Sequence, residues 1–283
     1  MLFYFIHWNV DPEIVNLFGF SLRYYGVLFA TGLLLCSMLL KRIFKREQIP
    51  LSHLDTLTTY GIMGILVGAR LGHCLFYEPS YYLAHPLEMF LPIRFLSEGG
   101  MEWVGYSGLA SHGGALGLIA ALFFYSRKTG HAIIDTLDLL AVVAALGGAF
   151  IRLGNLMNSE IMGVPTQRPW GVVFERVDFT PRHPAQLYEA ISYLLIFAGM
   201  ITLYQYQRAK LKNGFFFGLV LVLVFVARFV IEFVKEDQVA FEAGMTFNMG
   251  QVLSLPYIAV GLAFLVYSWR KTAKDQTQAE ANT

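Results

Sequence analysis

Apolar residues in this chain gather into seven stretches of roughly 20 residues, the length a helix needs to cross the hydrocarbon core of a bilayer. They begin near Tyr24, Leu54, Val104, Ala132, Gln186, Phe215 and Met249, with short polar breaks between them. The pattern predicts an all-α, polytopic membrane protein with about seven transmembrane helices. Ahead of the first stretch, Met1 to Leu22 is short and amphipathic, with Trp8, Phe18 and Phe20 suited to a bilayer interface, where aromatic rings prefer to lie. Met1 to Val10 lacks a positive segment followed by a small-residue cleavage site, so no removable signal peptide is expected. Two longer breaks predict a small loop region. One is residues 78–103, rich in Tyr, Trp, Pro and Gly. The other is residues 151–185, with Pro165, Pro169, Pro181 and Pro184 and an alternating run from Trp170 to Phe174 that suits a short hairpin. Residues 1–274 then form a single transmembrane domain and residues 275–283 a polar, disordered tail. No internal repeat at a fixed period is evident, which argues against a transporter built from two related halves.

Composition agrees with the pattern. Of the 283 residues, 56% are hydrophobic and only 14% charged, against about 25% charged in soluble domains. A net charge of +1 without a basic stripe gives no case for nucleic acid. The basic residues speak to topology instead. Lys41, Arg42, Lys45 and Arg46 follow the first stretch, Arg127 and Lys128 the third, Arg208, Lys210 and Lys212 the fifth, and Arg270, Lys271 and Lys274 the seventh. All fall on one side, which the positive-inside rule makes the cytoplasm, so the amino terminus is expected outside and the carboxyl terminus inside. Arg94, Arg168, Arg176, Arg182 and Lys235 fall on the outer side. Arg23, Arg70, Arg152 and Arg228 are left within or at the edges of the apolar stretches.

Charge at membrane depth is costly, so each intramembrane arginine raises a functional question. Arg152, Asn155, Asn158 and Glu160 crowd into nine residues where the fourth stretch should reach the outer surface, with Gly147, Gly148 and Gly154 beside them. A guanidinium offers a planar fork of donors suited to phosphate, and a carboxylate and amides could hold that fork in place. An arginine snorkelling to headgroups, with Asn and Glu capping a helix end, would also account for them. Arg228 and Glu232 are four apart, on one helix face, and are expected to pair, either as a structural tie or with Glu232 orienting Arg228 toward an anion. His112, followed by Gly113 and Gly114, could take a proton near neutral pH while the glycines admit a substrate. Arg182 to Glu189 opens the fifth stretch with many hydrogen-bonding groups and reads as a polar network lining the same cavity. Arg23 with Tyr24 and Tyr25 reads equally well as an interfacial anchor. Asp135 and Asp138 suit the amino-terminal end of a helix dipole. Cys36 and Cys74 read as inert buried thiols, and no histidine pair has zinc-site spacing, so neither metal nor cofactor is implied.

Taken in order, these motifs resemble those of the bacterial phosphatidylglycerol:prolipoprotein diacylglyceryl transferases. The matching runs are Arg23-Tyr24-Tyr25-Gly26, Gly68-Ala69-Arg70-Leu71-Gly72, His112-Gly113-Gly114, Arg152-Leu153-Gly154-Asn155 through Gly163, His183 to Glu189, Arg228 to Glu232, and Met249 to Pro256. The resemblance covers nearly the whole chain. It implies a multi-pass enzyme of the bacterial inner membrane that passes the diacylglyceryl group of phosphatidylglycerol to the lipobox cysteine thiol of a prolipoprotein signal peptide, releasing glycerol phosphate. It also implies phosphate binding by Arg152 and Arg228, support from Asn155, Asn158, Glu160, Gly163 and Glu232, a lipid-side role for Tyr25 and an essential His112. The chain departs from the pattern in the ten residues Glu102 to Ser111, where many relatives have a tighter link, and at Ser159 and Met162, where glycine and an aromatic are usual. Two other classes compete: a transporter or flippase for an anionic substrate, and an intramembrane serine protease suggested by Gly105-Tyr106-Ser107-Gly108. The protease would need a histidine on a later span facing that serine, and none qualifies.

Overall fold

Six helices in the computed structural model are long and apolar enough to cross a membrane. The model describes residues 5–17, 20–91, 93–95, 99–103, 108, 110–208, 211, 213–236 and 244–281. The six are α1 (Tyr24–Arg46), α2 (Leu51–Phe76), α5 (Ile133–Met157), α6 (Ala185–Gln207), α7 (Phe215–Ile231) and α8 (Met249–Ala281). Two more helices, α3 (Pro79–Ala84) and α4 (Ser111–Thr129), complete the set. The helix at the expected third span is α4. It falls short of the same measure because it opens on Ser111-His112-Gly113-Gly114 and closes on Arg127-Lys128, leaving a short apolar middle. The expected start of that span at Val104 lies outside the described residues, as do Gly105, Tyr106 and Ser107.

The chain divides into two compact units, residues 1–42 with 134–283, and residues 43–133. In the second unit α2 and α4 pack along glycines spaced four apart, Gly64, Gly68 and Gly72 against Gly113 and Gly117. The backbones come so close that a Cβ on Gly117 would overlap the carbonyl of Gly64. Small residues at this spacing are how helices associate where lipid removes the hydrophobic drive. Arg70 is buried here. Its Nε and Nη2 donate to the carbonyls of Met89 and Glu88 at 3.1 and 2.8 Å, satisfying the end of the short 3-10 turn Pro86–Met89. Its guanidinium also stacks over Tyr82. Strands β4 (Ile93–Phe95) and β5 (Met101–Trp103) form a hairpin within residues 78–103.

In the first unit α5 is the most deeply buried span, flanked by α1 through Gly32 on Phe150 and by α6 through Gly148 on Tyr193. The helices α7 and α8 meet at Gly218 and Gly261. Asp138, a candidate dipole partner for its own helix, instead accepts from the backbone amides of Gly214 and Phe217 at 2.7 and 2.8 Å, capping the start of α7. The amphipathic amino terminus is extended: β1 (Ile6–Trp8), β2 (Glu13–Leu17) and β3 (Phe20–Arg23). The strand β1 runs parallel to β6 (Val172–Phe174), which pairs antiparallel with β7 (Pro181–Arg182), giving the short hairpin the sequence suggests a third strand. Behind it Leu156, Met162, Val172 and Phe174 form a core, with Trp8 and Leu187 packed on its edge. The loop expected from residue 151 begins later. Helix α5 continues to Met157, so Arg152 and Asn155 are helical, because Ile151 to Met157 contains no proline and its apolar residues pack inward. Likewise α8 continues through residues 275–281, the expected disordered tail, where Gln, Ala and Glu are good helix formers.

Candidate active site

The polar cluster is built on the last turns of α5. Arg152 and Asn155 are three apart and face the same way, so Arg152 Nη1 donates to Asn155 Oδ1 at 3.2 Å. Asn155 Nδ2 in turn donates to Glu160 Oε1 at 2.7 Å, and Asn158 Nδ2 reaches the same oxygen at 3.3 Å. The return of Glu160 depends on a tight turn in which Ser159 and Ile161 take the left-handed conformation, with φ of 53° and 58°. Gln186, wholly buried at the start of α6, fixes the turn by donating to the Glu160 carbonyl at 2.6 Å.

One turn further along α6, Glu189 is completely buried and forms an ion pair with Arg152, Nε to Oε2 at 3.1 Å. Its other oxygen faces Lys235 Nζ at 3.6 Å, and Lys235 also pairs with Glu232 Oε2 at 3.0 Å. Lys235 is only 5% exposed, a buried cation rather than the outer-loop charge its position suggests. Its backbone is held as firmly: on either side of it the Val164 amide donates to the Val234 carbonyl and the Glu236 amide to the Met162 carbonyl. Gly250, at the start of α8, is the floor beneath Glu232, and any Cβ there would occupy the place of the carboxylate.

Glu232 therefore turns to Lys235 and not to Arg228, contrary to the pairing expected from their spacing of four. The cause is local. The α-helix runs to Ile231 and the Glu232 amide still donates to the Arg228 carbonyl; Glu232–Val234 then tightens into a 3-10 turn, which brings Lys235, three residues on, over the Glu232 carboxylate. Arg228 Nε is buried and, among the described residues, has no hydrogen-bond partner. The hydroxyl of Tyr193, four residues beyond Glu189 on α6, lies within electrostatic reach of both Arg152 and Arg228. The two arginines, on α5 and α7, thus approach the same side chain of α6. Tyr25 packs flat on Gly154, where a Cβ would strike its ring.

Gly163 plays a steric part. Its amide donates to His183 O at 2.8 Å, and a side chain would collide with the carbonyl of Val234 and with His183. Beside it, His183 Nδ1 and Trp170 Nε1 both meet the Tyr188 hydroxyl, at 3.0 and 2.8 Å. Burial, aided by the charge of Arg168, pushes the His183 imidazole below its ordinary value. Arg182 forms a bidentate contact with Asp178, which holds that carboxyl below the usual range.

His112 stands in the other unit, exposed in the first turn of α4, beside a cleft of about 330 Å³ lined by Gly72, Phe76, Tyr77, Ala110, Gly113 and Leu116. Arg23 forms only an exposed pair with Glu13 at 3.3 Å. Among the described residues no group of histidine, cysteine or acidic side chains could hold a metal. Lys235 and Tyr193 were not legible as site residues, although Lys235 follows Glu232 by three and Tyr193 follows Glu189 by four, the spacings of a shared helix face.

Apolar helices of spanning length, with Arg152 paired to the buried Glu189 among them, define a polytopic membrane protein. A family model described as prolipoprotein diacylglyceryl transferase matches residues 12–267. Proteins named phosphatidylglycerol--prolipoprotein diacylglyceryl transferase are similar over nearly the full length. The Bacteroides fragilis protein is 51% identical over 94% of this chain and 96% of its own. The Tolumonas auensis protein is 46% identical over 95% and 100%, and that of Chloroherpeton thalassium 40% over 96% and 98%. The chain belongs to the prolipoprotein diacylglyceryl transferase family and is a transferase. The match does not support a transporter or flippase.

Proposed function

We propose that this chain transfers the diacylglyceryl group of phosphatidylglycerol to the thiol of a lipobox cysteine in a prolipoprotein, forming a thioether and releasing glycerol phosphate. The relatives' names give the two substrates, and the observation that carries the reading to this chain is the site of Arg152 and Arg228. Arg152 is braced through Nε and Nη1, while Arg228 has a buried Nε without a hydrogen-bond partner among the described residues. In the reaction the sulfur attacks the terminal glycerol carbon, the C–O bond to phosphate breaks, and the electron pair leaves on a phosphate oxygen. The guanidiniums stabilise that growing charge. A free thiol has a pKa near 8.5, so a base or a positive field must supply thiolate. His112 is the proposed base, and Arg228 supplies a positive field. Asn155, Asn158 and Glu160 hold Arg152, and Tyr25 lies on the lipid side.

In this reading α4 is a seventh span, the amino terminus is outside and the carboxyl terminus cytoplasmic, as the basic clusters after α1, α4, α6 and within α8 support. The bilayer is the bacterial inner membrane. The test is purified protein with labelled phosphatidylglycerol and lipobox peptides carrying Cys or Ser. Label on the Cys peptide alone, with glycerol phosphate released, is the expected result; cleavage of the peptide or no reaction would overturn the proposal.

A further inference from the structure

Of five charged side chains around the two arginines' site, four cancel along an open chain of contacts. Arg152, Glu189, Lys235 and Glu232 alternate in sign, with contacts of 3.1, 3.6 and 3.0 Å. The fifth, Arg228, is left out of that chain. Its exclusion is unexpected, because Glu232 lies one helical turn away and a buried carboxylate draws any cation within reach.

What keeps Glu232 from Arg228 is Lys235. Its ammonium sits between Glu232 and Glu189, both nearly inaccessible, and its backbone is fixed by the pairing of residues 162–164 with 234–236. Gly250 leaves room for the carboxylate, since Glu232 fills the space a Cβ would take. We propose that Lys235 is a positioning residue that occupies Glu232 and Glu189 together, so that the guanidinium of Arg228 stays open for the phosphate of the lipid substrate. Lys235 touches neither substrate. It acts through Glu232, and removing it frees that carboxylate to close on Arg228 and compete with the phosphate. The inference rests on the transferase reading, and turnover by the unaltered protein tests that reading separately.

The experiment measures transfer from phosphatidylglycerol in vesicles to a Cys lipobox peptide, varying each substrate in turn. Lys235→Arg keeps the charge and should stay within about threefold of the unaltered protein in KM for the lipid. Lys235→Met should raise KM for phosphatidylglycerol by about tenfold or more while KM for the peptide holds. The double variant Lys235→Met with Glu232→Gln removes the competitor as well and should have a lower lipid KM than Lys235→Met alone. A folded Lys235→Met protein with unaltered lipid KM overturns the inference, as does a double variant no better than the single one. If Lys235→Met does not fold, the charge-balanced double variant decides: measurable transfer with a lipid KM within about tenfold of Lys235→Arg supports the inference, and a folded but inactive double variant sinks it. Failure of the unaltered protein to transfer label would instead remove the function itself.

Discussion

Arg152 faces the buried Glu189 through Nε, with Oε2 at 3.1 Å. Its guanidinium also donates to Asn155 through Nη1 and hydrogen-bonds Tyr193, so the fork is held by several groups and the donors that remain can meet an anion. A lysine has the charge but no fork, and cannot be held at its base while offering donors at its end. Arg152→Lys should therefore lower kcat/KM by about 10² or more, a loss of roughly 3 kcal/mol in transition-state stabilisation. The variant should keep its place in the membrane, because Glu189 retains a cation. Transfer assays on protein matched for folded amount check this, and near-normal turnover by Arg152→Lys would remove the phosphate-clamp role.

Gly163 makes a different prediction. The bend holding Glu160 and the backbone of Lys235 share this residue, which sits between Val234 and His183 with no room for a methyl group. Gly163→Ala should destabilise the protein by about 1 to 3 kcal/mol through overpacking. Thermal unfolding in detergent should show a lower midpoint and transfer should fall in step with folded protein. A stable Gly163→Ala protein without activity would point to direct substrate contact instead.

Much of this site is legible in the sequence because helical spacing is local. Arg152, Asn155 and Glu160 lie within nine residues, and their hydrogen bonds need only the end of one helix and one turn. Arg70 and Asp138 were not legible, because their partners are the carbonyls of Glu88 and Met89 and the amides of Gly214 and Phe217, backbone groups of no particular sequence. Glu232 misled for another reason: a spacing of four places two residues on one face but does not choose between rival partners, and the 3-10 turn that begins at Glu232 brings Lys235 to it. Lys235 looked like a loop charge because a cation at the end of an apolar stretch usually is one. Only the fold brings two buried carboxylates to it. The amino terminus misled through its pattern, since an amphipathic run of that length fits a helix or paired strands, and pairing of Ile6–Trp8 with Val172–Phe174 is a long-range event.

Ser159 takes a φ of 53°, the left-handed region that favours glycine, and the family resemblance implies glycine at this position. A side chain in the left-handed region costs about 1 to 2 kcal/mol, which glycine avoids. Ser159 is also buried, and its hydroxyl has no hydrogen-bond partner. Ser159→Gly should thus be stabilising or neutral, by up to about 1 kcal/mol after the added freedom of the unfolded chain is counted. Ser159→Val, with a branched Cβ, should be clearly destabilising. Unfolding midpoints of the two variants should lie on opposite sides of the unaltered protein, and a less stable Ser159→Gly protein would show that the hydroxyl has a partner.

The loop between α5 and α6 should respond to pH through His183. Burial and the nearby charge of Arg168 depress its folded pKa below the ordinary value of about 6.5. The folded protein therefore binds this proton less readily than the unfolded chain. Its contribution to stability is whole above about pH 6.5 and is lost as the pH falls through the depressed value. The pair of Asp178 with Arg182 acts in a separate window, because Asp178 is also depressed but from a carboxylate value of about 3.9. Between pH 7 and 5 the unfolding midpoint should fall more steeply for the unaltered protein than for His183→Asn. Arg168→Gln, which removes the second cause, should show a shallower fall than the unaltered protein. Since Gly163 donates to the His183 carbonyl, melting of this loop should carry the Glu160 turn with it, and transfer activity should decline over the same interval. Identical pH slopes for the unaltered and His183→Asn proteins would mean that the imidazole is as accessible to protons folded as unfolded.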